Sequence, residues 1–197
     1  MDQAADETAK KFTYGDYLGW PEEERWELIE GIPYNLTPAP STIHQIIVGE
    51  LFRQISTFLL DRDCLPFIAP FDVRLPEAEE ADDEIITVVQ PDIAVICDPA
   101  KLDKRGCRGA PDVIIEVLSP ATAAKDQIQK VALYEKHGVP EYWTVHPTDR
   151  LITVRRLGSE GRYGTPFFHE AKGMLPVITL PGLEIDLDGV FRRMEVG

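Results

Sequence analysis

Cysteine is scarce, and its spacing is uninformative. Cys64, Cys97 and Cys107 are odd in number and form no C-x-x-C pair, which argues against a disulfide framework and against a zinc site. All three are expected as reduced thiols, with Cys97 in a core strand. Nor does any apolar run approach the roughly 20 residues needed to span a bilayer, and the opening MDQAADETAKK lacks the apolar core of a signal peptide. The expectation is a cytoplasmic protein with no membrane partner. Positive charge is also short, at 20 Lys and Arg against 34 Asp and Glu, a net charge of −14. That balance excludes a broad basic face gripping nucleic acid through its phosphates, so any such role must rest on a local patch. Internal repeats and low-complexity segments are absent.

What is present is an ordinary globular composition, 44% hydrophobic and 27% charged over 197 residues, enough for one sizeable core. We therefore expect a flexible tail over 1–11 and a single domain over 12–197. A short helix is expected over Tyr14–Leu18. In Arg25–Tyr34 the pattern reads as a strand, a turn at Gly31 and a second strand. Ser41 or Thr42 can cap a helix in which Ile47, Val48, Leu51, Ile55, Phe58 and Leu59 recur at helical spacing, predicting a helix over Ile43–Leu60. Strand candidates follow at Phe67–Leu75, Val88–Cys97 and Asp112–Leu118. The first two are joined as a hairpin through the acidic loop Pro76–Glu84, read as solvated. Ser119-Pro120 opens and Gly138 closes a second long helix over Pro120–His137. Strands return at Glu141–His146 and Leu151–Leu157, and Val177–Leu187 is extended around Pro181-Gly182. Strands joined by a hairpin and then by a crossover helix imply an α/β (α+β) fold, a mixed central sheet flanked by helices, with extra β-hairpins at both ends.

Two acids interrupt the apolar strands. Glu116 lies in Asp112-Val-Ile-Ile-Glu-Val-Leu118, and Asp92 follows Pro91 in Val88-Val-Gln-Pro-Asp-Ile-Ala-Val-Ile-Cys97. A buried carboxylate costs several kcal/mol, roughly, unless a partner or metal compensates it. Acids on two strands of one sheet can converge on a hard divalent cation, which accepts one or two carboxylates and keeps waters for a substrate phosphate. A structural ion pair is the other explanation. Asp72 is read as an ion-pair partner of Arg74, two residues on.

Pro91-Asp92 followed after 24 residues by Glu116-x-Leu118, in helix–strand–strand–strand–helix–strand order, resembles the P-D…(D/E)-x-K nuclease superfamily. More closely, Glu27-Leu-Ile-Glu-Gly31, Pro38–His44, Val89-Gln-Pro-Asp92, Gly109–Pro120, Asp126-x-x-x-Lys130 and Gly138–Trp143 resemble the Uma-type restriction endonucleases, also called domain of unknown function 820. The likeness runs from about Tyr14 to Phe191. It implies a restriction-endonuclease-like core and Mg²⁺- or Mn²⁺-dependent phosphodiester hydrolysis, with DNA as the nucleic acid substrate and a homodimer as the assembly. Asp92 and Glu116 would hold the metal, and Lys130 would complete the catalytic set. Glu30, His44 and Asp126 occupy supporting positions. The departure is Leu118, where the superfamily has lysine; the resemblance implies that Lys130, on the following helix, takes its place.

Helical geometry leaves Lys130 two outcomes. Asp126, Lys130, Leu133, Tyr134 and His137 share one face, and Ala124, Ile128, Val131 and Ala132 the opposite one. If the Leu133/Tyr134 face packs on the sheet, Lys130 reaches Glu116; if the other does, it stands in water, paired at i,i+4 with Asp126. Alongside the nuclease stands a non-catalytic module that keeps the fold to bind protein or nucleic acid, favoured by the net charge and by Leu118. A carboxylate-pair hydrolase without metal is a third possibility.

Overall fold

The computed structural model describes residues 10–21, 23–36, 39–119, 123–192 and 194, with the side chains of 123–127 left undescribed. Most of the expected tail and the expected helix start at Pro120 lie outside the described residues.

Helix α1 (Tyr14–Tyr17) is started by a capping box between Thr13 and Asp16. Strands β1 (Trp26–Ile29) and β2 (Ile32–Asn35) form the expected hairpin. It turns through Glu30 and Gly31, both at positive φ. Helix α2 (Thr42–Leu59) starts where Ser41 accepts a hydrogen bond from the His44 amide. The second hairpin also forms, but each arm is cut in two. Leu65–Ile68 (β3) pairs with Ile93–Ile96 (β6) in one sheet, while Val73–Arg74 (β4) pairs with Val88–Val89 (β5) in another. Pro70 and Pro91 stand at the two breaks, where an absent N–H cannot serve a ladder.

A small hairpin of β7 (Leu102–Asp103) and β8 (Gly106–Arg108) precedes β9 (Val113–Val117). Then α3 (Ala123–Lys136) crosses over to β10 (Glu141–His146), parallel to β9 as such a connection requires. The chain continues through β11 (Leu151–Arg156), β12 (Phe167–Glu170), the terminal hairpin β13 (Met174–Pro176) and β14 (Glu184–Asp186), and α4 (Leu187–Arg192). The result is the expected mixed α+β arrangement with hairpins at both ends, but its strands divide into two six-stranded sheets, with β13 and β14 paired separately. The central sheet runs β12-β11-β10-β9-β6-β3 and the second β2-β1-β5-β4-β8-β7.

Strand alternation sorts the core. Val113, Ile115 and Val117 pack with Ile47, Leu51 and Ile55 of α2 and with Phe191 of α4. Ile114 faces the other way, against Leu133 and Tyr134 of α3 and Ile29 and Val89 of the second sheet. Glu116 takes the face of Ile114, so its carboxylate enters the layer between the two sheets. Among the described residues no helix is long and apolar enough to cross a membrane.

Three sequence readings are corrected. Cys64 and Cys97 are joined in a disulfide at the residue pair just beyond Leu65 and Ile96, while Cys107 is free and buried; spacing along the chain carries no information on such a cross-strand pair. Asp72 does not pair with Arg74. It accepts hydrogen bonds from Tyr17 and Gln90, whereas the fully buried Arg74 pairs with Asp82 and Asp103. The acidic loop is accordingly tied down through Asp82 as well as solvated.

Candidate active site

The β6–β9 register places Ile93 opposite Ile115 and Ala94 opposite Ile114. Continued by one residue, it brings Asp92 opposite Glu116, which is how two acids separated in sequence become neighbours. Asp92 is held from both sides. Its Oδ2 accepts the Val117 amide at 2.8 Å and lies 3.1 Å from Nε2 of His44, delivered by the first turn of α2. A carboxylate only accepts, so Nε2 carries the proton. The His44 Nδ1 is buried with no partner among the described residues.

Glu116 is almost fully buried and meets Lys130. The ammonium Nζ lies 2.7 Å from Glu116 Oε1, and the Tyr134 hydroxyl donates to the same oxygen at 2.9 Å. The packing explains this geometry. Leu133 and Tyr134 turn into the core, whereas Ile128 is 73% exposed, so the lysine-bearing face of α3 is the one that meets the sheet. Leu118 is itself buried. Burial, and then the neighbouring Glu116 charge, hold the Tyr134 hydroxyl well above the usual tyrosine range, so it remains a donor at neutral pH.

A further acid joins this cluster. Glu27, at 0% exposure, sits 2.9 Å from Lys130 Nζ and accepts the Gln90 amide at 3.1 Å. The sequence did carry a signal for it. Glu27 is an acid enclosed by apolar residues in Trp26-Glu-Leu-Ile29, as Glu116 is in its own strand. Glu30 instead occupies the hairpin turn, exposed, beside Lys136 at 3.4 Å. Asp126 lies on α3, and its side chain is outside the described residues. The structure thus gathers Asp92, Glu116, Lys130, His44 and Glu27, and leaves Glu30 apart.

Charge decides what the cluster can accept. Among the described side chains, three carboxylates (Glu27, Asp92 and Glu116) meet one lysine and one histidine. Carboxylates converging from neighbouring strands are the donor type that a hard cation takes. No group of three His, Cys, Asp or Glu side chains is arranged to hold a metal among the described residues. A divalent ion here would take Asp92 and Glu116 with waters and a phosphate, the usual Mg²⁺ pattern.

Comparison with known proteins gives the family and the fold. The family model Uma2, described as putative restriction endonuclease, matches residues 14–188. The solved structure of a putative nuclease belonging to DUF820 from Anabaena variabilis resembles the chain with a TM-score of 0.72 and 22% identity. The match covers 92% of this chain and 98% of that one, a likeness of fold. None of the curated proteins matches the chain.

Proposed function

The chain belongs to the Uma2 family, described as putative restriction endonuclease, and from that premise we propose that it is a Mg²⁺-dependent endonuclease hydrolysing phosphodiester bonds in DNA. The observation that supports this best is the convergence of Asp92, Glu116 and Lys130 from two neighbouring strands and the helix after them. Asp92 and Glu116 are the residues that would hold the ion, which when bound supplies a more acidic water and neutralises charge on the phosphate. Lys130 brings the only ammonium described in the cluster to Glu116, where it can orient a water or offset charge developing on the phosphate. Tyr134 fixes the Glu116 carboxylate. Val117 and His44 fix that of Asp92, and Glu27 holds Lys130 in place.

The test is Mn²⁺ calorimetry carried into the millimolar range on wild type, Asp92→Asn and Glu116→Gln, followed by Mg²⁺-dependent cleavage of plasmid and oligonucleotide DNA. Binding and cleavage present in wild type and lost in both folded variants are expected. One observation favours a second reading. Glu116 already has Lys130 and Tyr134 as partners, the arrangement a purely structural ion pair would take. Folded wild type that binds no Mn²⁺ would move the assignment to a non-catalytic module.

A further inference from the structure

Beside the cluster, at the outer face of the second sheet, lies a cleft of about 560 Å³. We propose that it binds an unpaired nucleobase, so that the substrate presents a single-stranded or unstacked nucleotide next to the scissile phosphate. This inference rests on the nuclease reading above, and four observations carry it.

The walls are aromatic. Tyr17, Trp20, Trp26 and Phe71 line the cleft. Trp20 meets Tyr17 and Trp26 at centroid distances of 5.4 Å with ring planes inclined by 51° and 65°. Tyr17 also stacks on Tyr14 and Phe71 on Phe67, and base stacking on aromatic side chains is the sequence-tolerant mode of single-strand binding.

The floor is polar and preorganised. Gln90 Nε2 donates to Asp72 Oδ1 at 2.9 Å and to the Tyr17 hydroxyl at 3.2 Å, while Arg25 donates twice to Gln90 Oε1. Such amide, carboxylate and phenol groups suit the edge of a base. The rim is cationic, with exposed Lys104 and Arg105 in a chain of net charge −14. The acids nearby are engaged, Asp103 with Arg74 and Glu24 with the Trp26 indole N–H.

The cleft also shares a residue with the cluster. The Gln90 amide donates to Glu27 while its side chain forms the floor, and Asp92 follows two residues later, about 7 Å of extended chain. A base in the cleft therefore lies within reach of a phosphate at Asp92.

Two of the three tryptophans line the cleft, and Trp143 is buried in the core, which makes tryptophan fluorescence a direct readout. Wild type is titrated in EDTA and low salt with ten-residue deoxythymidine and deoxyadenosine oligonucleotides and with a blunt duplex. Expected are quenching by the single strands and at least about tenfold weaker binding to duplex. Trp20→Ala should weaken single-strand binding by about tenfold or more, on the scale of one lost stack. The pair Lys104→Ala and Arg105→Ala should weaken it and flatten its salt dependence. Binding without a tryptophan response, equal affinity for duplex, or an unchanged folded Trp20→Ala overturns the inference. Because no metal is used, duplex cleavage without single-strand binding sinks the cleft alone, and binding without cleavage of any DNA sinks the nuclease reading alone.

Discussion

Lys130 Nζ lies 2.7 Å from Glu116 Oε1 across 14 residues of sequence, and the same ammonium lies 2.9 Å from Glu27 Oε1. One cation thus ties the crossover helix to both sheets inside the protein.

Replacing that lysine leaves two buried carboxylates facing each other. Lys130→Met should cost about 3–5 kcal/mol in urea denaturation. Glu27→Gln should cost less, because Lys130 keeps Glu116. Adding Glu116→Gln to Lys130→Met should recover part of the loss, since an uncharged amide needs no cation. A Lys130→Met variant within about 1 kcal/mol of wild type, where surface ion pairs fall, would contradict a buried triad.

Tyr134 predicts an alkaline limit on stability. Its folded pKa is raised, by burial and then by Glu116, so above pH about 10 the unfolded chain releases a proton that the folded one retains, and stability falls as pH rises. Tyr134→Phe removes that dependence along with a hydrogen bond to Glu116. The stability gap between wild type and variant should shrink by about 1 kcal/mol between pH 10 and 11. A gap that stays constant over that range would place the hydroxyl in an ordinary environment.

Gly106 has φ +121°, and a Cβ there would stand 2.2 Å from the Asp72 carbonyl oxygen, in the segment that carries Asp72 into the cleft. Gly106→Ala should therefore destabilise by about 3 kcal/mol or more, read by thermal denaturation. A neutral substitution would mean that the backbone relaxes there freely.

The Cys64–Cys97 bridge closes a loop of 33 residues. Loop-closure entropy makes its reduction cost about 3–4 kcal/mol. Thiol titration of the unfolded chain without reductant should find one free cysteine, Cys107, and three after reduction. Three before reduction would show that the bridge does not form.

Much of this was legible from local chemistry. The Ser41 cap and the apolar spacing after it specify α2, Gly31 marks the first hairpin, and alternation around Asp92 and Glu116 marks two strands burying acids. The small hairpin Leu102–Arg108, the strand Phe167–Glu170 and the helix Leu187–Arg192 were missed; their runs are short, and strands such as Phe167–Glu170 are largely exposed. Period-two and helical patterns state which side chains share a face. They do not state which strand lies alongside or which helix face meets the sheet. The division of the long hairpin between two sheets, the opposition of Asp92 and Glu116, the joining of Cys64 to Cys97, and the preference for Glu27 over Glu30 all depend on register between segments far apart in the chain. So does the fate of Lys130, decided when Leu133 and Tyr134, rather than Ile128, found the core.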